Sequence, residues 1–194
     1  MIPPVSPYGL IQETLWPDEW MIIVAGIMLN CTTRKQVEQV LPEFRRCWPT
    51  PQSFVTASYV DVFGVIKPLG FGNRRTDNLL KMTRAYLTTD WHHASELPGV
   101  GAYGARSWEI FCQGVVGTEP PKDHALLQYW GWAISLACRQ RADDLVVLEE
   151  AAQGVVAGEQ RDVRHVLLEA VGCADELPRG VESRPARVAE VDRG

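Results

Sequence analysis

The residues best suited to do chemistry in this chain are a glycine hairpin and the acid that follows it. Leu97-Pro98-Gly99-Val100-Gly101-Ala102-Tyr103-Gly104 lies between two helical patterns, and Asp123 comes twenty residues after Tyr103, in Pro120-Pro121-Lys122-Asp123-His124. Gly99 and Gly101 can take positive φ and bring bare backbone N–H groups close to another molecule. The helix that follows would aim its own unpaired N–H groups and the positive end of its dipole at an anion. With no side-chain charge, such a hairpin suits a DNA phosphate better than a base edge, because phosphate contacts position and do not specify. Asp123 then stands at a second helix start, where a carboxylate could stabilise an oxocarbenium-like sugar and orient or deprotonate an attacking water. Plainer readings stay open from these residues alone: Gly-x-Gly before a helix is also an ordinary turn, and Asp123 is also a good N-cap.

The elements that must position these groups are helical. Pro17-Asp18-Glu19 reads as a helix start leading into an apolar run that ends at Leu29. Thr33 to Phe44 places Val37, Val40, Leu41 and Phe44 at helical spacing, and Trp48-Pro49-Thr50-Pro51 breaks that pattern. Ser53–Ser58, Tyr59–Ile66 and Arg74–Tyr86 read as further helices, and Leu126–Cys138 as an apolar, Trp-rich closing helix. No strand pattern emerges, so the expected class is all-α. Beyond this, Asp143–Val156 and Val163–Val171 could each form an amphipathic helix, and from Asp175 onward Pro, Gly, Arg and Glu dominate, which predicts disorder. The expected divisions are residues 1–138, a helical extension over 139–174, and a tail over 175–194.

Length and composition bound the function. A chain of 194 residues with 46% hydrophobic and 22% charged residues reads as a soluble globular domain with an appendage. The longest apolar run, Trp20–Leu29, is far too short to span a bilayer, and the N-terminus lacks a signal-peptide layout, so an intracellular, non-membrane protein is expected. Net charge is −5, which is unusual for a DNA-binding chain. Most of that acidity is distal: residues 1–138 hold 11 Lys/Arg against 12 Asp/Glu, and residues 139–194 hold 8 Arg against 12 acids. Five cysteines, at 31, 47, 112, 138 and 173, make neither a disulfide framework nor a cluster motif, and read as small apolar residues. The four histidines, 92, 93, 124 and 165, lack zinc-site spacing with cysteine or acid partners.

From Ser6 to about Trp132 the chain resembles the helix-hairpin-helix DNA glycosylases of the endonuclease III superfamily, most nearly their mismatch-specific thymine/uracil branch. The likeness is carried by Ser6-Pro7-Tyr8-Gly9-Leu10-Ile11-Gln12-Glu13-Thr14-Leu15, Leu29-Asn30-Cys31-Thr32, Lys67-Pro68-Leu69-Gly70-Phe71, Tyr86-Leu87-Thr88, the hairpin, Ile110-Phe111-Cys112 and Asp123-His124. It implies a two-lobed all-α glycosylase domain with the active site in the cleft between the lobes.

The same resemblance assigns roles. Asp123 takes the place of the catalytic aspartate. Tyr103 stands where bifunctional relatives carry a Schiff-base lysine; a phenol cannot act as that amine, so hydrolysis by water without strand cleavage is implied. Ile11, Gln12, Leu29 and Tyr103 fall in the base pocket, with the Gln12 amide suited to the imide edge of thymine or uracil. Asn30, Cys31 and Thr32 fall where a turn fills the hole left by a flipped nucleotide, and Cys31 replaces the arginine usual in that branch. The plug is then weaker, or is supplied by Asn30, Arg34 or Lys35. Phe71 matches an apolar wedge, although core packing is its alternative. Gly99, Val100, Gly101, Gly104 and His124 are implied DNA contacts. No metal or iron–sulfur cluster is expected, since four closely spaced cysteines are absent, while the family pattern allows a monovalent cation on the hairpin carbonyls.

Three functions follow. The first is a monofunctional glycosylase removing thymine or uracil opposite guanine in double-stranded DNA, acting as a monomer and, in a eukaryote, in the nucleus. The second is a non-catalytic helix-hairpin-helix DNA-binding module. The third, adenine excision, needs a glutamate where this chain has Gly26.

Overall fold

Asp18 opens the central helix of the protein. Its carboxylate accepts a hydrogen bond from the Met21 N–H at 3.0 Å, and the helix it caps, α2, runs over Glu19–Leu29. Every residue of α2 from Trp20 to Met28 is buried. A helix apolar on all sides must be enclosed by others, and α2 is. The computed structural model describes residues 2–114 and 119–155, with no strand among them. In chain order the other helices are α1 (Ile11–Leu15), α3 (Arg34–Cys47), α4 (Pro51–Val55), α5 (Tyr59–Ile66), α6 (Gly72–Thr88), α7 (Ala102–Cys112) and α8 (His124–Val155), with short 3₁₀ turns at Lys67–Leu69 and Ala94–Glu96. The all-α class is therefore as expected.

Residues Met1–Leu136 form one compact unit and Ala137–Gly194 a second. In the first, α1, α3, α6 and α7 surround α2. One aromatic group closes its N-terminal half: Phe54 meets Trp20, Phe44 and Trp48 at ring separations of 5.7, 5.2 and 5.4 Å. A second joins Trp91 to Trp108 at 5.7 Å, with Phe111 on Tyr129 of α8 at 4.6 Å. Each such side chain, fully buried, contributes about 1.5–3 kcal/mol. Glu19 ties the layers with a polar bridge, accepting from Trp108 Nε1 at 2.8 Å and from the Tyr86 hydroxyl at 3.0 Å. In the second unit, described to Val155, Leu145, Val146 and Leu148 are exposed. The segments over 163–171 and 175–194 lie outside the described residues.

Several boundaries differ from the sequence expectation. α4 starts at Pro51 rather than Ser53, because Thr50 caps it and proline is well suited to the first helical turn, where it needs no N–H partner. α6 begins two residues before Arg74 and ends two after Tyr86. The two helices expected over Leu126–Cys138 and Asp143–Val156 are one continuous helix, α8, since no proline or glycine lies between them to interrupt the ladder.

The α2–α7 packing has one tight point. A Cβ built on Gly26 would sit 2.8 Å from the Cα of Gly104, and real Cβ atoms do not approach backbone so closely. Gly26 and Gly104 therefore let the two backbones touch. We expect Gly26→Ala to lower the unfolding free energy by about 1–3 kcal/mol, the usual cost of overpacking a filled core. Urea titration followed by circular dichroism measures this, and an unchanged midpoint would show that the helices have room to separate.

Candidate active site

Glu13 builds the first wall of the site. Its carboxylate accepts from the Leu10 N–H at 2.7 Å, the Ser6 N–H at 2.7 Å and the Ser6 hydroxyl at 2.8 Å, so one side chain both starts α1 and folds the preceding strap onto it. The hydroxyl of Tyr129 fixes the strap further back, donating to the Pro4 carbonyl at 2.9 Å. With α1 so held, Gln12 points inward and is 1% exposed. Its Nε2 donates to the Tyr103 hydroxyl at 2.9 Å and to the Ser107 hydroxyl at 3.1 Å, both on α7. Gln12 Oε1 accepts no hydrogen bond among the described residues, yet no buried side-chain polar atom among them lacks a partner, so this oxygen reaches the adjoining cavity.

That cavity has a volume of about 360 Å³. Ile11, Gln12, Leu29, Tyr103 and Asp123 all line it, together with Tyr8 and the Asn30-Cys31-Thr32 turn. The structure thus gathers the four base-pocket candidates and the candidate acid, drawn from three helices and a helix start, around one hollow. Burial pushes the Tyr103 phenol up, and the nearby Asp123 charge adds to the shift while the Gln12 hydrogen bond opposes it. Tyr103 is therefore a neutral hydroxyl at any physiological pH.

Asp123 is both a cap and a cavity wall. Its Oδ1 accepts from the N–H groups of Ala125 and Leu126, each at 3.0 Å, while its carbonyl accepts from Leu127 N–H at 2.8 Å. The second carboxylate oxygen makes no hydrogen bond among the described residues. One carboxylate can thus be fixed by the helix through one oxygen and offer the other to the cavity. His124, the first residue of α8, is exposed.

The hairpin departs from expectation in three ways. Gly99 takes positive φ (80°), but Gly101 does not: at φ −84°, ψ 177° it has the extended conformation an N-cap requires. Nothing lies within 4 Å of where a Cβ would be, so neither its backbone conformation nor packing among the described residues demands glycine there. The N–H of Val100 turns inward to the Leu97 carbonyl at 3.2 Å, and its side chain packs on the core. Gly104 is buried against α2, so any contact it makes outside the protein is through its backbone N–H. The donors left facing outward belong to Gly99, Gly101 and the first turn of α7.

Two exposed residues flank a small groove beside this hairpin. Cys31 and Phe71 are the non-glycine residues with positive φ among those described, at 57° and 49°. Phe71 is 70% exposed, which removes core packing as an account of it. Arg34, weighed above as a plug residue, lines the cavity beside the Asn30-Cys31-Thr32 turn and is held there by Nε on Glu38 at 2.7 Å and Nη1 on the Tyr8 carbonyl at 3.2 Å.

Two supporting residues escaped the sequence reading. Ser107 lies one helical turn after Tyr103, and that spacing alone could have put it on the same face. Arg75 lies on the buried stripe of α6 with Leu79, Met82 and Tyr86, a cation at an apolar position of the repeat. Among the described residues, no three His, Cys, Asp or Glu side chains come together to hold a metal ion, and no helix is long and apolar enough to cross a membrane.

No protein-family model matches the chain. Individual relatives do. A methyl-CpG-binding domain protein 4-like protein of Arabidopsis thaliana is 33% identical over 131 residues, covering 68% of this chain and 29% of the relative. A thymine-DNA glycosylase of Aeropyrum pernix is 30% identical over 118 residues, 57% of this chain and 52% of that protein. An adenine DNA glycosylase of Mycobacterium tuberculosis is 33% identical over 99 residues, 47% of this chain and 32% of that protein. The chain thus spans about half or less of the length of these relatives. Their agreement with the helical domain that carries a glycine hairpin before α7 identifies the chain as belonging to the helix-hairpin-helix DNA glycosylases of the endonuclease III superfamily.

Proposed function

We propose that this protein is a monofunctional DNA glycosylase that hydrolyses the N-glycosidic bond of thymine or uracil mispaired with guanine. The observation that carries this reading is the convergence of Gln12, Tyr103 and Asp123 on one cavity of about 360 Å³. In this reading the hairpin donors of Gly99 and Gly101 hold a phosphate of double-stranded DNA, the target nucleotide leaves the stack, and its base enters the cavity. The Gln12 amide, set by two hydroxyls of α7, meets the imide edge. Asp123 stabilises the positive charge that develops on the sugar and directs a water to C1′. The C1′–N1 bond breaks, its electron pair leaves with the pyrimidine, and water supplies the oxygen of the new sugar hydroxyl, its released proton passing by way of Asp123 or solvent to the pyrimidine anion. No cofactor takes part in this scheme, and one copy of the chain suffices.

The adenine reading, which the mycobacterial relative raises, meets a steric obstacle. A glutamate at position 26 would begin with a Cβ against the backbone of Gly104, so its insertion requires α7 to move. The non-catalytic reading is opposed by the retained acid and pocket. A panel of labelled duplexes carrying T·G, U·G and A paired with oxidised guanine, followed by alkaline cleavage, decides among the three.

Tyr103 has no amine to form a Schiff base, so borohydride should trap no covalent enzyme–DNA species and strands should break only after alkali. Nicking that keeps pace with base release would overturn the hydrolytic scheme.

Asp123→Asn keeps the size and capping ability of the side chain, so fold and DNA binding should persist. Base release should fall by about two orders of magnitude, equivalent to about 3 kcal/mol of transition-state stabilisation. Normal turnover in single-turnover kinetics would leave Asp123 as a helix cap and nothing more.

Phe71→Ala should slow excision from duplex U·G while leaving uracil release from single-stranded DNA nearly unchanged, because only the duplex has a stack to wedge open. Equal losses on the two substrates would exclude wedging.

A further inference from the structure

Arg75 is 4% exposed and has no carboxylate partner among the described residues. Its positive charge is instead distributed over backbone oxygens of three segments. Nη1 donates to the carbonyls of Ile27 at 2.7 Å and Met28 at 2.6 Å, the unpaired C-terminal end of α2. Nη2 donates to the Asn30 carbonyl at 2.6 Å and to the Thr32 hydroxyl, with the Leu69 carbonyl at 3.4 Å. Nε donates to the Gly70 carbonyl at 2.9 Å. The Thr32 hydroxyl also lies 3.3 Å from the Leu69 carbonyl, closing the ring between the two turns.

The two turns so joined hold Cys31 and Phe71, the described non-glycine residues in the left-handed region. Each such residue costs about 1–3 kcal/mol and persists only where its surroundings over-determine it. One guanidinium provides those surroundings for both, and hydrogen bonds from a charged donor are roughly twice as strong as neutral ones. Both residues also line the same small groove, with Asn30, Arg74 and Gly99.

We infer that Arg75 is a positioning residue that latches the Asn30–Thr32 and Leu69–Phe71 turns into one two-pronged element, so that Cys31 and Phe71 enter a DNA duplex together or not at all. This rests on the glycosylase reading above for its DNA partner, whereas the latch itself is a property of the free protein. The device differs from two independent probes in that loosening either turn loosens the other.

Native-state hydrogen exchange on the wild-type chain tests the latch directly. The amides of Thr32, bonded to the Leu29 carbonyl at 3.1 Å, and Gly70, bonded to the Lys67 carbonyl at 3.1 Å, report one turn each. Opening as a unit predicts protection factors within about threefold of each other at every denaturant concentration. Independent opening, with protections that diverge under mild denaturant, overturns the proposal. The function is tested with Arg75→Lys, which keeps the charge at the end of α2 but offers one ammonium where the fork reaches both turns. Uracil release from duplex U·G should fall by about tenfold or more, the equilibrium cost of one left-handed residue losing its support. Release from single-stranded DNA should stay within about twofold, since no stack has to be penetrated. A role confined to folding would lower both rates alike, and that result, or no loss on duplex, overturns the positioning role. If the variant does not fold, the wild-type exchange result decides. If the wild-type protein releases no base from any substrate, the glycosylase reading falls while exchange still decides the latch.

Discussion

The contact between Gly26 and Gly104 is the constraint on which the remaining geometry depends. With no side chain on either residue, α2 and α7 approach until their backbones touch. That approach sets the hairpin beside the C-terminal end of α2, and it sets Tyr103 and Ser107 within reach of Gln12 on α1. A methyl group at the crossing would lengthen all of these distances together, since protein interiors transmit strain rather than absorb it. Gly104 thus belongs to the architecture more than to the surface proposed to meet DNA. The hairpin and the helix after it thus use glycine for two purposes: Gly99 turns the chain at positive φ, and Gly104 leaves room for α2.

Polar groups in the site are arranged so that each is held by a neighbour and retains one valence. Gln12 is held by two hydroxyls through its nitrogen and keeps its oxygen for the cavity. Asp123 is held by two amides through one oxygen and keeps the other. Such arrangements are costly when half satisfied in a closed interior, and here both residues line an accessible hollow instead. Burial keeps Tyr103 a neutral hydroxyl, so the phenol adds a polar contact without a second negative charge beside Asp123. A phenolate there would compete with the carboxylate for any developing cation and would repel it.

Buried charge is handled differently on the far side of the hairpin. Arg75 has no ionic partner among the described residues and is stabilised by oriented carbonyls, chiefly at the negative end of the α2 dipole. A carboxylate in its place would neutralise the guanidinium but bind one segment. Carbonyls from three segments let a single side chain determine the course of two turns. The small net acidity of the first 138 residues is compatible with the proposed role, because the groups proposed to meet DNA are mainly backbone donors and exposed apolar or neutral residues, with Arg74 beside them.

Local chemistry made much of this legible from the sequence. The helix start at Asp18, the all-round apolar stretch of α2 and the amphipathic spacing of α3 follow from short-range rules, and the structure shows these helices within a few residues of expectation, whereas the Thr50 cap of α4 lay in a stretch that reads as a break. The residue types around the hairpin and Asp123 likewise suggested the chemistry proposed for the site. Whether they meet was not written in any local pattern. Gln12 and Tyr103 are 91 residues apart in the chain, and their 2.9 Å hydrogen bond exists because two glycines on other helix faces allow a close crossing. The conformation of Gly101, the inward turn of the Val100 N–H and the role of Arg75 were equally out of reach, for the same reason. Helix type follows from neighbours along the chain, whereas burial of a particular hydrogen-bonding group follows from which distant surface it faces, and only the packed structure decides that.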